Sequence, residues 1–438
     1  MSEGARRASE AADAGAITVE PASRPLRGVV RVPGDKSISH RAAILAALAT
    51  GESVVRGFSH AGDCASTLGV LRALGAGIEE GDGGLRIAGG GLREPGADLD
   101  CGRSGTTMRL LAGALASSGF RSTLTGDPQL LRRPMERVAE PLRRMGARIE
   151  TSEGRPPLVV DGASLAGIRY VLPVASAQVK AAVLLAGLDA GGETAVVEPV
   201  PTRDHTERLL AWLGAPLQRR EAPEGEEIAI RRFSVPAFRL DVPGDPSSAA
   251  PLLAAAAMVP GSDLTVEGVG LNPTRTGFLR ALASMGADAE IVQTEEHPEP
   301  VGSVRIRHAP LRGIAIGASE VPGVVDELPL LGVVATAAEG TTEVRGAEEL
   351  RVKETDRVAG LVTGLRALGA GAEELPDGFV IGGGTRLPGG SCDALGDHRL
   401  SMAFAVAGLA AESAVRVTGP DRVDDSFPGF WTTLGSLA

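Results

Sequence analysis

Of the 44 basic residues in the chain, three are lysine, at positions 36, 180 and 353, and the other 41 are arginine. Arginine is a planar fork that keeps its charge, whereas lysine is a compact ammonium able to release a proton. A position that needs a point charge or a proton donor cannot accept the exchange. Lys36, Lys180 and Lys353 are therefore candidates for chemistry, and each stands in a polar cluster. Lys36 lies in Asp35-Lys36-Ser37-Ile38-Ser39-His40-Arg41, Lys180 in Ser176-Ala177-Gln178-Val179-Lys180, and Lys353 in Arg351-Val352-Lys353-Glu354-Thr355-Asp356-Arg357. The last cluster interleaves carboxylates with cations, and Asp326-Glu327 stands just ahead of an apolar run. Such carboxylates suit general acid and base groups better than bare phosphate clamps; for 351–357 a ladder of surface salt bridges is the alternative. No metal-ligand spacing, Walker loop or paired GxGxxG fingerprint is present, and Gly382-Gly383-Gly384 reads as a hairpin turn.

These polar clusters open helices that are otherwise rich in Ala and Leu on every side. The spacing predicts such helices at 41–49, 106–117, 177–190, 247–259, 326–338 and 399–411. A helix apolar all round is a buried one. Ser104, Gly105, Thr106, Thr107 and Arg109 open the second, Asp245, Ser247 and Ser248 the fourth, and Asp397, His398 and Arg399 the sixth. A helix N-terminus offers unpaired N–H groups and partial positive charge, a ready anion site, and Ser or Thr there adds a cap or a phosphate ligand. Plain capping does not account for Lys or Arg, which that end disfavours unless an anion sits between. Six such ends gathered in one cleft would make a local positive field. The expected ligand is a small polyanion.

A second set of helices is amphipathic, with apolar positions three and four apart, as in Val358, Leu361, Leu365 and Leu368. Each ends in a recurring phrase: Leu74-Gly75-Ala76, Met145-Gly146-Ala147, Leu213-Gly214-Ala215, Met285-Gly286-Ala287, Leu368-Gly369-Ala370, with Leu434-Gly435-Ser436 as a truncated sixth copy. The glycines recur about every 70 residues, so one α/β unit is used six times. Each glycine suits a left-handed cap that turns the chain into a strand. Arg31-Val32-Pro33-Gly34-Asp35-Lys36-Ser37 and Asp241-Val242-Pro243-Gly244-Asp245-Pro246-Ser247 share V-P-G-D-x-S three units apart. We therefore expect a first, discontinuous domain of 15–33 plus 243–438 and an inserted second domain of 34–242, three units in each, with hinges near 31–37 and 241–247. Residues 1–14 read as a disordered tail rather than a signal peptide.

Composition narrows the function classes. Hydrophobic residues make up 43% of the 438-residue chain and charged residues 23%, a globular balance, and no apolar run approaches the length of a membrane span. A net charge of -11 and an aromatic content of 3% argue against broad nucleic-acid binding and against base-stacking platforms. Cys64, Cys101 and Cys392 form no CxxC and imply neither a disulfide framework nor a zinc site, which fits a reducing cytoplasm. We expect a cytoplasmic monomer acting on small molecules.

Pro33 to Arg41, Ser104 to Arg109, Ser176 to Lys180, Arg203-Asp204-His205-Thr206-Glu207, Arg351 to Arg357 and Asp397-His398-Arg399 together resemble, in order, the signatures of the EPSP synthases, the 3-phosphoshikimate 1-carboxyvinyltransferases. The likeness runs from about residue 25 to 432. It implies a two-domain, inside-out α/β barrel-like fold of six βαβαββ-type repeats, with the site in the cleft. The implied reaction moves the enolpyruvyl group of phosphoenolpyruvate to the 5-hydroxyl of shikimate 3-phosphate by addition and elimination, without metal or other cofactor. By the same resemblance, shikimate 3-phosphate meets Lys36, Ser37, Arg41, Ser176, Ala177, Gln178, Thr202, Asp326 and Lys353. Phosphoenolpyruvate meets Lys36, Gly105, Arg133, Gln178, Arg357 and Arg399. Lys36, Asp326 and Glu354 are the implied catalytic groups: Asp326 the base at the 5-hydroxyl, Glu354 the acid at the methylene, and Lys36 on the phosphate side.

Two positions depart from the family pattern. Arg103 stands where Asn is usual, and Asp425 precedes Ser426-Phe427-Pro428 where some members place Lys, which would remove one cationic contact to phosphoenolpyruvate. Gly105 leaves the room a glyphosate-sensitive enzyme needs, while Gly34-Asp35-Lys36, Ser176 to Lys180, Arg203 to Glu207 and Asn272-Pro273-Thr274-Arg275 resemble the tolerant subclass. The nearest rival, an enolpyruvyl transferase acting on UDP-N-acetylglucosamine, uses a loop cysteine, and Thr125 to Pro134 contains none. A nucleic-acid end-processing relative and a non-catalytic relative of the same fold are the remaining alternatives.

Overall fold

Gly75, Gly146, Gly214, Gly286 and Gly369 all hold positive φ, between 88° and 112°. Each donates its N–H to a carbonyl three residues back, and the following alanine donates to one five residues back, as in Gly75 to Arg72 and Ala76 to Leu71, both at 3.0 Å. These are Schellman motifs, which satisfy the last carbonyls of a helix and need a left-handed residue that only glycine adopts without strain. Gly435 is different. It lies inside the helix Phe430–Leu437, has no positive φ and stops nothing, so the sixth copy of the phrase is not a cap.

The computed structural model describes residues 15–384, 386–420 and 422–437. The expected tail at 1–14 lies outside them. Twelve α-helices are described: α1 (Lys36–Leu48), α2 (Gly62–Ala73), α3 (Gly105–Leu115), α4 (Glu136–Arg144), α5 (Ala177–Gly187), α6 (His205–Trp212), α7 (Pro246–Met258), α8 (Gly277–Ser284), α9 (Leu328–Ala337), α10 (Arg357–Ala367), α11 (His398–Ala410) and α12 (Phe430–Leu437). Helices α1, α3, α5, α7, α9 and α11 are the six Ala/Leu-rich segments, and they are buried along almost their whole length. No described helix is long and apolar enough to cross a membrane.

Among the described residues, six open sheets run between the helices, five of four strands and one of three, and they do not close into a barrel. In one of them Arg169–Val171 pairs in parallel with Glu193–Glu198 across α5, with Tyr170 opposite Val196. Gly225–Arg231 then pairs antiparallel, Ile228 opposite Val196, and Gln218–Ala222 closes the edge. The same β-α-β-α-β-β order recurs in the sheets that begin with Leu99–Asp100 and Ala315–Ile316, whereas Glu52–Arg56 pairs in parallel with Arg239–Asp241 from later in the chain, and Asp263–Gly270 with Arg27–Val30 from ahead of the second unit. The three-stranded sheet has Val415–Thr418 at its centre, and its last strand comes from the start of the chain, Ala16–Val19. Gly382 ends the strand Gly378–Gly382, and the hairpin turn lies earlier, at residues 376 and 377, so the triple glycine is not the turn. Gly383 instead crosses the end of α9: a Cβ there would stand 2.0 Å from the Ala338 carbonyl oxygen.

The described chain forms two compact units. One comprises residues 15–32, Gly244–Thr294 and 301–437, and the other Pro33–Pro243 and Glu295–Pro300. Nothing in the sequence marks Glu295–Pro300 as packing with the second unit. Within the first unit α7, α9 and α11 pack on one another; within the second, α3 packs on α1 and α5. Small residues let these helices approach closely. A Cβ on Gly113 would lie 2.2 Å from the Ala182 carbonyl oxygen, so α3 and α5 touch backbone to backbone. Gly113→Ala should therefore force the pair apart and cost about 1–3 kcal/mol, the range for overpacking a close-packed core. A lowered urea midpoint would show it, and an unchanged midpoint would mean the helices are not in contact there.

Candidate active site

In the second unit, each buried helix begins with a capped and occupied first turn. Asp35 caps α1, accepting from the Ile38 amide at 2.9 Å, and is itself buried. Ser104 caps α3 and Ser176 caps α5, each accepting from the amide three residues on. Lys36 follows its cap and puts Nζ 2.8 Å from the Asp63 carboxylate on α2, with both side chains about one-fifth exposed, at 17% and 19%. Arg109 Nη1 donates to Gln178 Oε1, and Gln178 Nε2 donates to Thr106 Oγ1 at 2.8 Å, which ties the starts of α3 and α5 together. A Cβ on Gly105 would stand 3.1 Å from Nη1 of both Arg109 and Arg133. Gly105, Arg109, Arg133 and Gln178 thus form one donor-rich cluster.

Arg41, one turn into α1, is buried. Its Nε donates to Thr206 Oγ1 at 2.6 Å and its Nη1 to the Ser37 carbonyl at 2.9 Å. Burial lowers its pKa to about 10, against the pull of nearby carboxylates, Glu207 foremost. Thr202 donates its hydroxyl to Glu198. Lys180 lies deeper than the other two lysines and is 1% exposed, with Nζ 2.7 Å from Glu198 Oε2 and 2.5 Å from Glu207 Oε1. His205 Nδ1 meets Glu299 Oε1 at 2.7 Å, both side chains buried. The three cysteines are buried and reduced, and burial raises the pKa of each thiol, so none is a poised nucleophile.

In the first unit a single guanidinium organises the site. Arg357, 2% exposed at the start of α10, reaches Glu354 Oε2 at 2.6 Å, Asp397 Oδ2 at 2.8 Å and Asp326 Oδ1 at 3.5 Å. Although burial opposes its charge, the carboxylates of Asp397, Glu354 and Asp326 raise its pKa further above the ordinary arginine value. Asp397 doubles as the cap of α11, accepting from the Arg399 and Leu400 amides. Arg399 Nη1 donates to the Ser247 carbonyl at 3.3 Å, while its Nε is buried without a hydrogen-bond partner. Ser247 in turn donates to Glu327, and Arg275 joins Asp245 and Ser247 at 2.9 and 2.7 Å. Lys353 Nζ lies 3.6 Å from Glu349, and burial lowers its pKa.

The segment 351–357 therefore divides. Arg351 binds Asp356, Glu374 and two backbone carbonyls, the surface ladder that was the alternative reading, whereas Glu354 and Arg357 turn inward. Among the sequence candidates, the structure brings Asp326, Glu354 and Arg357 together in one unit, and Gly105, Arg133 and Gln178 in the other. Arg103 is held by Asp127 at 3.2 Å, and Asp425 ends a single turn of 3-10 helix, Val423–Asp425. The resemblance gave no substrate-binding or catalytic role to Arg109, Arg275 or Thr206. The signal for Arg109 was present: a guanidinium one turn into an otherwise apolar helix. Arg275 stood out only within Asn272-Pro273-Thr274-Arg275, with no site role attached.

The family model for EPSP synthase (3-phosphoshikimate 1-carboxyvinyltransferase) matches residues 21–434. The chain is 52% identical over 418 residues to a 3-phosphoshikimate 1-carboxyvinyltransferase of Acidithiobacillus ferrooxidans, with 94% of this chain and 95% of that one covered. It is 51% identical over 422 residues to the protein of the same name from Methylococcus capsulatus, at 94% and 95% coverage. Among solved structures, an EPSP synthase from Acinetobacter baumannii superposes with a TM-score of 0.87 at 40% identity, covering 97% of this chain and 98% of that one.

One buried group in the second unit has a measurable pH signature. His40 lies beneath Lys36 and Arg41, with Nδ1 2.6 Å from Thr67 Oγ1 and Nε2 buried without a partner. Burial, reinforced by Lys36 and Arg41 and opposed by Asp63, lowers its pKa from 6.5 to about 3. The unfolded chain binds a proton there below pH 6.5 and the folded chain does not until about 3, so stability falls as pH falls through that window. Relative to His40→Gln, the wild type should lose up to about 1.4 kcal/mol per pH unit in urea titrations below pH 6. Parallel pH dependences in the two proteins would contradict a neutral, buried His40.

Proposed function

The chain belongs to the EPSP synthase (3-phosphoshikimate 1-carboxyvinyltransferase) family, and from that membership we propose how its residues divide the transfer of the enolpyruvyl group from phosphoenolpyruvate to shikimate 3-phosphate. The observation that carries the assignment is the placing of Asp326 and Glu354 on one buried guanidinium, at 3.5 and 2.6 Å from Arg357. The reaction needs a base at the 5-hydroxyl and an acid at the methylene, and both carboxylates are held by one group.

In this reading Ser37, Arg41, Ser176, Ala177, Gln178, Thr202, Asp326 and Lys353 hold shikimate 3-phosphate. Gly105, Arg133, Gln178, Arg357 and Arg399 hold phosphoenolpyruvate, and Lys36 touches both. Support comes from the kind of donor present: main-chain N–H groups at helix starts and bidentate guanidinium forks, both matched to phosphate and carboxylate oxygens. The buried, unpartnered Nε of Arg399 is a donor of that kind. Asp326 takes the proton of the 5-hydroxyl as its oxygen bonds to C2 of phosphoenolpyruvate, while Glu354 delivers a proton to C3. The resulting tetrahedral carbon carries methyl, carboxylate, phosphate and the new ether. Lys36 stabilises the phosphate as it leaves, and Glu354 removes a proton from the methyl, restoring the double bond. The enzyme acts in this reading as a cytoplasmic monomer on these small molecules, and a net charge of -11 disfavours nucleic acid as a partner.

Lys36→Met should abolish turnover in a steady-state assay with both substrates while the circular dichroism spectrum and melting profile stay native; near wild-type rates would remove Lys36 from the chemistry. Asp326→Ala should reduce kcat far more than it raises KM for shikimate 3-phosphate, as befits a group used in the chemical step. The reverse pattern would make Asp326 a binding group rather than the base.

A further inference from the structure

Lys180 is one of three lysines in the chain, and the assignments above leave it without a task. It sits on α5, one turn beyond the Ser176 cap and two residues past Gln178, 1% exposed, between two carboxylates that are themselves 2% and 1% exposed. Two buried carboxylates against one ammonium leave an excess of negative charge, and the two are not equivalent. Glu198 also accepts from the Thr202 hydroxyl, and burial raises its pKa, so it can carry a proton without losing its place. Glu207 is paired with Lys180 alone among the described ion pairs, and it is the carboxylate that acts most strongly on Arg41. Glu207 also adjoins Thr206, whose hydroxyl accepts from Arg41 Nε at 2.6 Å.

We propose that Lys180 is a positioning residue that holds the Glu207 carboxylate away from Arg41, leaving the Arg41 guanidinium available to shikimate 3-phosphate. A carboxylate released beside a buried guanidinium would pair with it, because an unpaired charge of either sign is costly there. That pair would compete with the substrate's anionic groups for the same N–H groups. A lysine suits the task better than an arginine, since a compact ammonium fits between two buried carboxylates where a planar fork would not. The proposal rests on Arg41 binding shikimate 3-phosphate, as assigned above.

Two double variants separate this role from a merely structural one. Lys180→Met/Glu198→Gln and Lys180→Met/Glu207→Gln lose the same lysine and keep the same net charge, and they differ only in which carboxylate remains. The glutamine amide oxygen at 198 can still accept from Thr202. Titration calorimetry with shikimate 3-phosphate alone, on the full chain, should show the first variant binding roughly 10- to 100-fold more weakly than wild type, the loss typical when the support of a ligand-binding group is removed. The second, lacking the competing Glu207, should bind within about threefold of wild type, inside the usual spread between similar contexts. Equal affinities in the two variants, or the opposite order, would overturn the proposal. A wild-type protein that takes up no shikimate 3-phosphate in the same titration would instead count against the assigned function.

Discussion

A cation in the first turn of a helix stands against the positive end of the dipole, and a buried cation stands against the loss of water as well. This chain accepts both costs repeatedly, and how each is offset decides what the residue can do. Arg357 is compensated by Glu354, Asp326 and Asp397, and so holds the two carboxylates proposed as acid and base. Lys36 pairs with Asp63 and remains partly open. Arg399 has a carbonyl on one nitrogen and no hydrogen-bond partner on the buried Nε, the donor proposed for phosphoenolpyruvate. The gradation from satisfied to waiting is the physical content of the site.

That arrangement depends on packing that leaves no side-chain bulk between helices. The buried helices are rich in alanine and leucine, and their starts are close enough for direct hydrogen bonds: Arg109 to Gln178 in one unit, Ser247 to Glu327 and Arg399 to the Ser247 carbonyl in the other. Bringing several helix starts within reach of one another concentrates N–H donors in a protein whose overall charge is negative. The repeat supplies this economically, since a unit that buries one helix and turns back through a Schellman glycine delivers one helix start each time it is used.

Much of this was legible in the residues. The glycine phrases located five helix ends because a left-handed cap has a chemical signature, and the Ala/Leu runs located the buried helices because no amphipathic face was present. The same phrase misled at Gly435, where a Leu-Gly-Ser triplet sits within a helix, and the triple glycine at 382–384 marked a close crossing over α9 rather than a turn. Pairings between distant positions were not legible. Nothing local links Lys180 to Glu198 and Glu207, or Arg357 to Asp397 forty residues on, because such partners are chosen by the fold. The mixed segment 351–357 showed both behaviours at once: its first arginine belongs to the surface and its last to the core, and only burial distinguishes them.

The central claim is that these helix starts hold two small phosphorylated acids for enolpyruvyl transfer. It is tested most directly by a coupled phosphate-release assay with phosphoenolpyruvate and, in parallel, shikimate 3-phosphate or UDP-N-acetylglucosamine as acceptor. Stoichiometric phosphate release with shikimate 3-phosphate and none with the sugar nucleotide is the expected result. Release with the sugar nucleotide alone, or with neither acceptor from a folded protein, would contradict the account.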